Sequence, residues 1–81
     1  MYYFVYIVQC SDDTLYTGIT TDVKRRVDEH NNSYKGAKYT KLRRPVALVY
    51  TEKSDNRSEA SKREYVVKKL SRSEKLELIN A

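Results

Sequence analysis

At 81 residues the chain has room for one small core, since folded domains rarely fall below about 50 residues. Sixteen Lys and Arg against eleven Asp and Glu leave a net charge of +5, and the excess lies in the second half: residues 1–40 carry five basic and five acidic side chains, residues 41–81 eleven and six. Cys10 is the only cysteine, which excludes an intrachain disulfide and a thiolate metal cluster, while no apolar run approaches the roughly 18 residues of a membrane span and the uneven positive charge favours a polyanion such as nucleic acid.

From Tyr2 to Cys10 the residues are β-branched or aromatic, and their alternation puts Tyr2, Phe4, Tyr6 and Val8 on one face and Tyr3, Val5, Ile7 and Gln9 on the other. This apolar start lacks the positive flank and small-residue cleavage site of a signal peptide, so the expected location is the cytosol. Ser11, Asp12, Asp13 and Thr14 are turn formers, and strand character resumes over Leu15–Thr20, which predicts a β-hairpin with Tyr6 and Tyr16 on neighbouring strands.

Thr21 or Asp22 can cap a helix running to about Asn32. Val23 and Val27 form its inward stripe; at about 100° per residue Arg26 and His30 fall toward the sheet edge, and Lys24 and Arg25 toward solvent. Residues 33–45, with the breakers Gly36 and Pro45, predict a basic loop. Its Lys35, Lys38, Lys41, Arg43 and Arg44 are candidates for phosphate contact, with plain solvation the alternative, and Tyr34 and Tyr39 are candidates for stacking on bases. Val46–Thr51 has strand composition. Ser54–Ser58 offers caps for a second helix to about Leu70 with Ala60, Val67 and Leu70 inward, and Ser71 with Glu74 forms a capping box opening a terminal helix. The order is ββαβαα, an α+β arrangement expected to form a single domain over residues 1–81.

His30 stands alone among histidines, so a zinc site or a Ser-His-Asp triad has no support, and two glycines cannot make a phosphate-binding loop. What remains is Tyr6, Tyr16, Gly18, Arg26, His30 and Glu64, and their spacing resembles the GIY-YIG nucleases. Phe4-Val5-Tyr6 is similar to the first tripeptide, with only the tyrosine retained, and Tyr16-Thr17-Gly18 to the second. Arg26 matches the family arginine and His30 a position held by histidine or tyrosine. Glu59-Ala60-Ser61-Lys62-Arg63-Glu64 resembles the glutamate motif of the second long helix. Helical geometry leaves Glu59 and Glu64 open; the resemblance implies Glu64 as the metal ligand.

The resemblance covers nearly the whole chain, including Lys35-Gly36-Ala37-Lys38-Tyr39-Thr40, and is similar end to end to small stand-alone bacterial members. It implies a small three-stranded, mostly antiparallel sheet flanked by helices. It also implies a divalent-metal-dependent endonuclease on DNA rather than RNA, using one Mg²⁺ or Mn²⁺ on Glu64, with targeting by the module itself or a protein partner. In that chemistry Arg26 would bridge phosphate oxygens, Tyr6 and Tyr16 would orient or deprotonate water, His30 would accept or relay a proton, and Gly18 would let a phosphate approach the backbone. The alternative is a binding or partner-recruiting module on the same fold without catalysis.

Overall fold

Apolar alternation in the opening hairpin builds the middle of the molecule. In the computed structural model, which describes residues 1–81, β1 (Tyr3–Gln9) lies between β2 (Leu15–Thr20) and β3 (Ala47–Ser54) in an antiparallel sheet of order β2-β1-β3. Tyr6 pairs with Gly18 and Val8 with Tyr16, so the hairpin aligns the two tyrosine motifs as expected. A bulge between Ile7 and Val8 in the pairing with β3 lets Val49 and Tyr50 both pack toward one core cluster.

Helices cover both faces. On one, α1 (Val23–Asn32) lays Val23 and Val27 against Tyr6, Val8, Cys10 and Val46. On the other, α3 (Arg57–Lys69) inserts Ala60 and Val67 against Val5 and Ile7, with Leu78 and Ile79 of α4 (Arg72–Asn80) alongside. The expected caps are present: the Asp22 side chain accepts from the Arg25 amide, Asn56 from the Glu59 amide, and Ser71 and Glu74 form a reciprocal capping box.

The expected basic loop is corrected in one respect. Lys38–Lys41 is a short helix, α2, because the amides of Thr40 and Lys41 both return to the Ala37 carbonyl. Gly36 and Pro45 bracket this turn instead of breaking it. Gly36 is buried at a close approach, where an added Cβ would stand 2.6 Å from the Glu29 carbonyl oxygen and 2.9 Å from the His30 Cα. β3 also runs to Ser54, three residues past the expected end. No helix is long and apolar enough to cross a membrane.

Candidate active site

The site begins with one missing side chain. Gly18 lies opposite Tyr6, and a Cβ on it would stand 2.5 Å from Tyr6 Oη and 2.7 Å from Cζ, so the phenol lies directly over the glycine in the edge strand. This corrects the expected role of Gly18. The space above its backbone is filled by Tyr6 and is not open to a phosphate.

Placed there, Tyr6 is almost fully buried, and its Oη meets His30 Nε2 at 2.6 Å. His30 reaches it from the last turn of α1 and is itself fully buried. Its Nδ1 lies 3.0 Å from Thr40 Oγ1 and accepts from the Ala37 amide at 3.2 Å. The bend after α1 and the short helix α2 therefore form the floor of the site. This structural role stands beside the phosphate contact and plain solvation expected of that stretch from its sequence.

Tyr16, two residues before Gly18, sets its ring edge-on to His30, with centroids 5.4 Å apart, and stacks on Tyr39 at 5.7 Å. The Arg43 guanidinium caps Tyr39 at 3.9 Å from its centroid, and Arg43 Nε donates to Asp12 at 3.1 Å. A continuous pile thus runs from Arg43 through Tyr39, Tyr16 and His30 to Tyr6, joining hairpin, α1 and α2.

Arg26 is turned toward the sheet edge as its helical position requires. Its Nη1 donates to Glu29 at 3.0 Å and to the Lys35 carbonyl at 2.8 Å, while Nε and Nη2 bond no carboxylate or carbonyl. The guanidinium is held through Nη1 and also lies within hydrogen-bonding reach of the Tyr6 phenol, and its remaining N–H groups can meet an incoming anion.

Glu64 projects from α3, on the opposite sheet face, yet its charge is among those acting on the Tyr6 phenol. Tyr6, Tyr16, Arg26 and His30 gather on the α1 side of the sheet, and Glu64 reaches them as a charge felt at Tyr6. The Glu64 side chain is 22% exposed, and its one ion-pair partner is Lys68 at 3.4 Å, a flexible side chain one helical turn away. No cluster of three or more acidic, histidine or cysteine groups is present. This donor set fits a hard ion that keeps waters and takes further oxygens from a phosphate, and does not fit an all-protein cage.

Not every nominated residue joins the site. The side chains of Lys35, Lys38 and Lys41 are exposed at its rim and form no ion pair. Arg44, a candidate phosphate contact, is spent elsewhere: its Nε donates to the His30 carbonyl at 2.6 Å and its Nη2 to the Ser33 and Glu29 carbonyls, closing the C-terminal end of α1.

The electrostatics of the pair are one-sided. Burial pushes the Tyr6 phenol up to about 12, against the lowering pull of Arg26. Burial, helped by the Arg26 and Arg44 charges, pushes His30 down to about 4. Both groups are neutral at neutral pH. The Arg26 cation does pull the Tyr6 phenol down, and desolvation outweighs it.

The profile of the GIY-YIG catalytic domain matches residues 2–77, spanning both tyrosine motifs, Arg26, His30 and Glu64. The chain belongs to the GIY-YIG family. Among relatives, the UPF0213 protein of Desulfotalea psychrophila is 63% identical over 79 residues, 98% of this chain and 72% of that protein. The UPF0213 protein of Staphylococcus saprophyticus is 55% identical over 78 residues, 96% of this chain and 94% of that one. Two solution NMR structures share the fold. One is of the UPF0213 protein from Bacillus halodurans (TM-score 0.63, 49% identity) and one is of a protein from E. faecalis (TM-score 0.67, 45% identity); each alignment covers 99% of this chain and 84% of the other. Within the GIY-YIG family the first motif here keeps only its tyrosine, and Thr17 stands at the centre of the second. The Thr17 hydroxyl is buried and without a hydrogen-bond partner.

Proposed function

We propose that this GIY-YIG chain is a divalent-metal-dependent endonuclease that hydrolyses phosphodiester bonds, with DNA as the preferred substrate. The observation that supports this reading is the gathering of Tyr6, Tyr16 and the Arg26 guanidinium about His30, with the Glu64 charge felt at Tyr6. Arg26 can bridge phosphate oxygens with Nε and Nη2 and favour the more highly charged transition state. Tyr16, only partly buried, presents its phenol toward the reacting water, and Tyr6 supplies a second hydroxyl oriented by His30. Glu64 would hold Mg²⁺ or Mn²⁺, which supplies charge neutralisation and a water of lowered pKa when bound. Lys35, Lys38 and Lys41 would carry flanking phosphates and the exposed part of Tyr39 an unstacked base.

The test is incubation with branched, nicked and single-stranded DNA, and with RNA, in Mg²⁺ or Mn²⁺. Cleavage abolished by Glu64→Gln and reduced at least about a hundredfold by Arg26→Ala is expected, the scale of losing one transition-state donor. No cleavage of any substrate, or cleavage indifferent to both changes, overturns the reading.

A second reading, a nucleic-acid-binding module without turnover, is favoured by one observation. Tyr6 is buried with its pKa pushed up to about 12, so it is no base at neutral pH by itself. Salt-sensitive binding retained by Glu64→Gln, with no turnover in either protein, would establish it.

A further inference from the structure

Three groups meet the two ring nitrogens of His30 and decide where its proton sits. The Ala37 amide points at Nδ1 from 3.2 Å, Thr40 Oγ1 lies 3.0 Å from Nδ1, and Tyr6 Oη lies 2.6 Å from Nε2. A backbone amide is a donor only, fixed in direction by the chain. The Thr40 hydroxyl rotates, and its one proton can go to Nδ1 or to the Ala37 carbonyl at 2.8 Å. That carbonyl already receives the Thr40 and Lys41 amides, so it loses little when the hydroxyl turns to the ring.

The two tautomers are therefore unequal. With a proton on Nδ1, the ring would face the Ala37 N–H proton to proton, and that amide would be left without an acceptor in a part-buried place. With Nδ1 bare, the Ala37 amide and the Thr40 hydroxyl both find an acceptor there, and Nε2–H finds one at Tyr6 Oη. The ring proton and both donors aimed at Nδ1 are then used, and the Tyr6 hydroxyl proton is the one left to point away from the ring.

We propose that the Ala37 amide and Thr40 are positioning groups that hold His30 as the neutral Nε2–H tautomer, so that His30 donates to Tyr6 Oη and turns the Tyr6 hydroxyl proton outward to the reacting groups. The low His30 pKa agrees, because burial, with the Arg26 and Arg44 cations adding to it, makes the ring resist a second proton. On this assignment His30 neither takes nor relays the Tyr6 proton, contrary to the role that the family resemblance implies. Tyr6 instead offers an O–H to a phosphate oxygen or to water. If that proton leaves, the phenolate keeps the His30 N–H and the neighbouring Arg26 charge. The consequence for chemistry rests on the proposed nuclease reading; the tautomer does not.

His30 is the only histidine, so its ring resonances are unambiguous in ¹⁵N-histidine NMR of the full chain, without metal or nucleic acid. Nε2 couples strongly to both ring carbon protons and Nδ1 chiefly to one, which tells the nitrogens apart. The expected spectrum at neutral pH shows Nε2 protonated and Nδ1 bare. Thr40→Val should shift chiefly the Nδ1 resonance, with Thr40→Ser restoring it, and Tyr6→Phe should shift chiefly the Nε2 resonance. A protonated Nδ1, or an imidazolium, in the unaltered protein overturns the proposal whether or not either valine or phenylalanine variant folds. An Nδ1 resonance unmoved by a folded Thr40→Val removes Thr40 from it. Because no cleavage is measured, an inactive protein with the expected tautomer would defeat the nuclease reading alone, and an active protein with the opposite tautomer would defeat this proposal alone.

Discussion

Gly18 shows how one absent methyl group sets the shape of the site. The Tyr6 ring occupies the place where any side chain at position 18 would begin, and its 2.6 Å bond to His30 depends on lying that low over the edge strand. Gly18→Ala must displace the phenol. The expected cost is about 1–3 kcal/mol, the scale of overpacking in a tight core, read by urea denaturation. A variant as stable as the parent would mean that the ring can move aside freely. His30 gives a second prediction. Folding lowers its pKa from the ordinary value near 6.5 to about 4, so the unfolded chain takes up the proton first. The stability from burying the neutral ring is complete above pH 6.5 and is lost as pH falls from there to about 4. A shift of that size corresponds to about 3 kcal/mol. Denaturation midpoints should fall across that window in the parent and much less in His30→Gln. Asp12, held below its ordinary range first by the Thr14 hydroxyl, and Glu74, held there by the Ser71 amide, act at lower pH.

At the scale of elements, the segment between α1 and β3 decides what the sequence could reveal. Strands and long helices were legible because their signals are periodic and local: the alternation of Tyr2–Gln9, the valine stripe of α1, the Ser71–Glu74 box. Tyr6, Tyr16, Arg26 and Glu64 were legible through their resemblance to the family motifs, which geometry alone could not supply for Glu64 against Glu59. The role of Gly36-Ala37 and Thr40 was hidden, because it rests on a backbone amide and a hydroxyl reaching His30 across seven and ten residues, and neither leaves a compositional mark. Arg44 misled for a related reason. A charged residue in a basic run looks like a phosphate ligand, yet here it bonds the carbonyls of Glu29, His30 and Ser33 where α1 ends, joining the Ser33 amide on Glu29 and the Gly36 amide on Ser33. Arg44→Ala should therefore cost about 1–3 kcal/mol and speed hydrogen exchange in the last turn of α1, where His30 sits. Lys41→Ala, exposed and unpaired, should fall within about 0.5 kcal/mol of the parent.

Across the whole molecule, extents of 30 × 30 × 18 Å describe a flattened body with the sheet as its middle layer and the site on its α1 side. The basic segment is tied to that side at two points, by Arg26 donating to the Lys35 carbonyl and by Tyr39 stacking on Tyr16. Lys35, Lys38 and Lys41 consequently stand beside the proposed chemistry, on a molecule whose net charge of +5 already draws polyanions. Binding should then divide the basic residues by whether their charge is free. Each phosphate neutralised by a lysine releases counterions, so removing one contact should flatten the dependence of log K on log salt by about 0.9 for duplex DNA and about 0.7 for a single strand. That is the expected effect of Lys35→Ala, Lys38→Ala and Lys41→Ala, each measured by fluorescence anisotropy over a salt series. Arg43→Ala should flatten the slope less, because its charge is already opposed by Asp12 at 3.1 Å. Arg44→Gln should leave it unchanged, since its donors are committed to backbone carbonyls. Equal slopes for the lysine variants and the parent would place the nucleic acid on another face; a slope that falls with Arg44 as steeply as with Lys38 would mean that the end of α1 opens on binding.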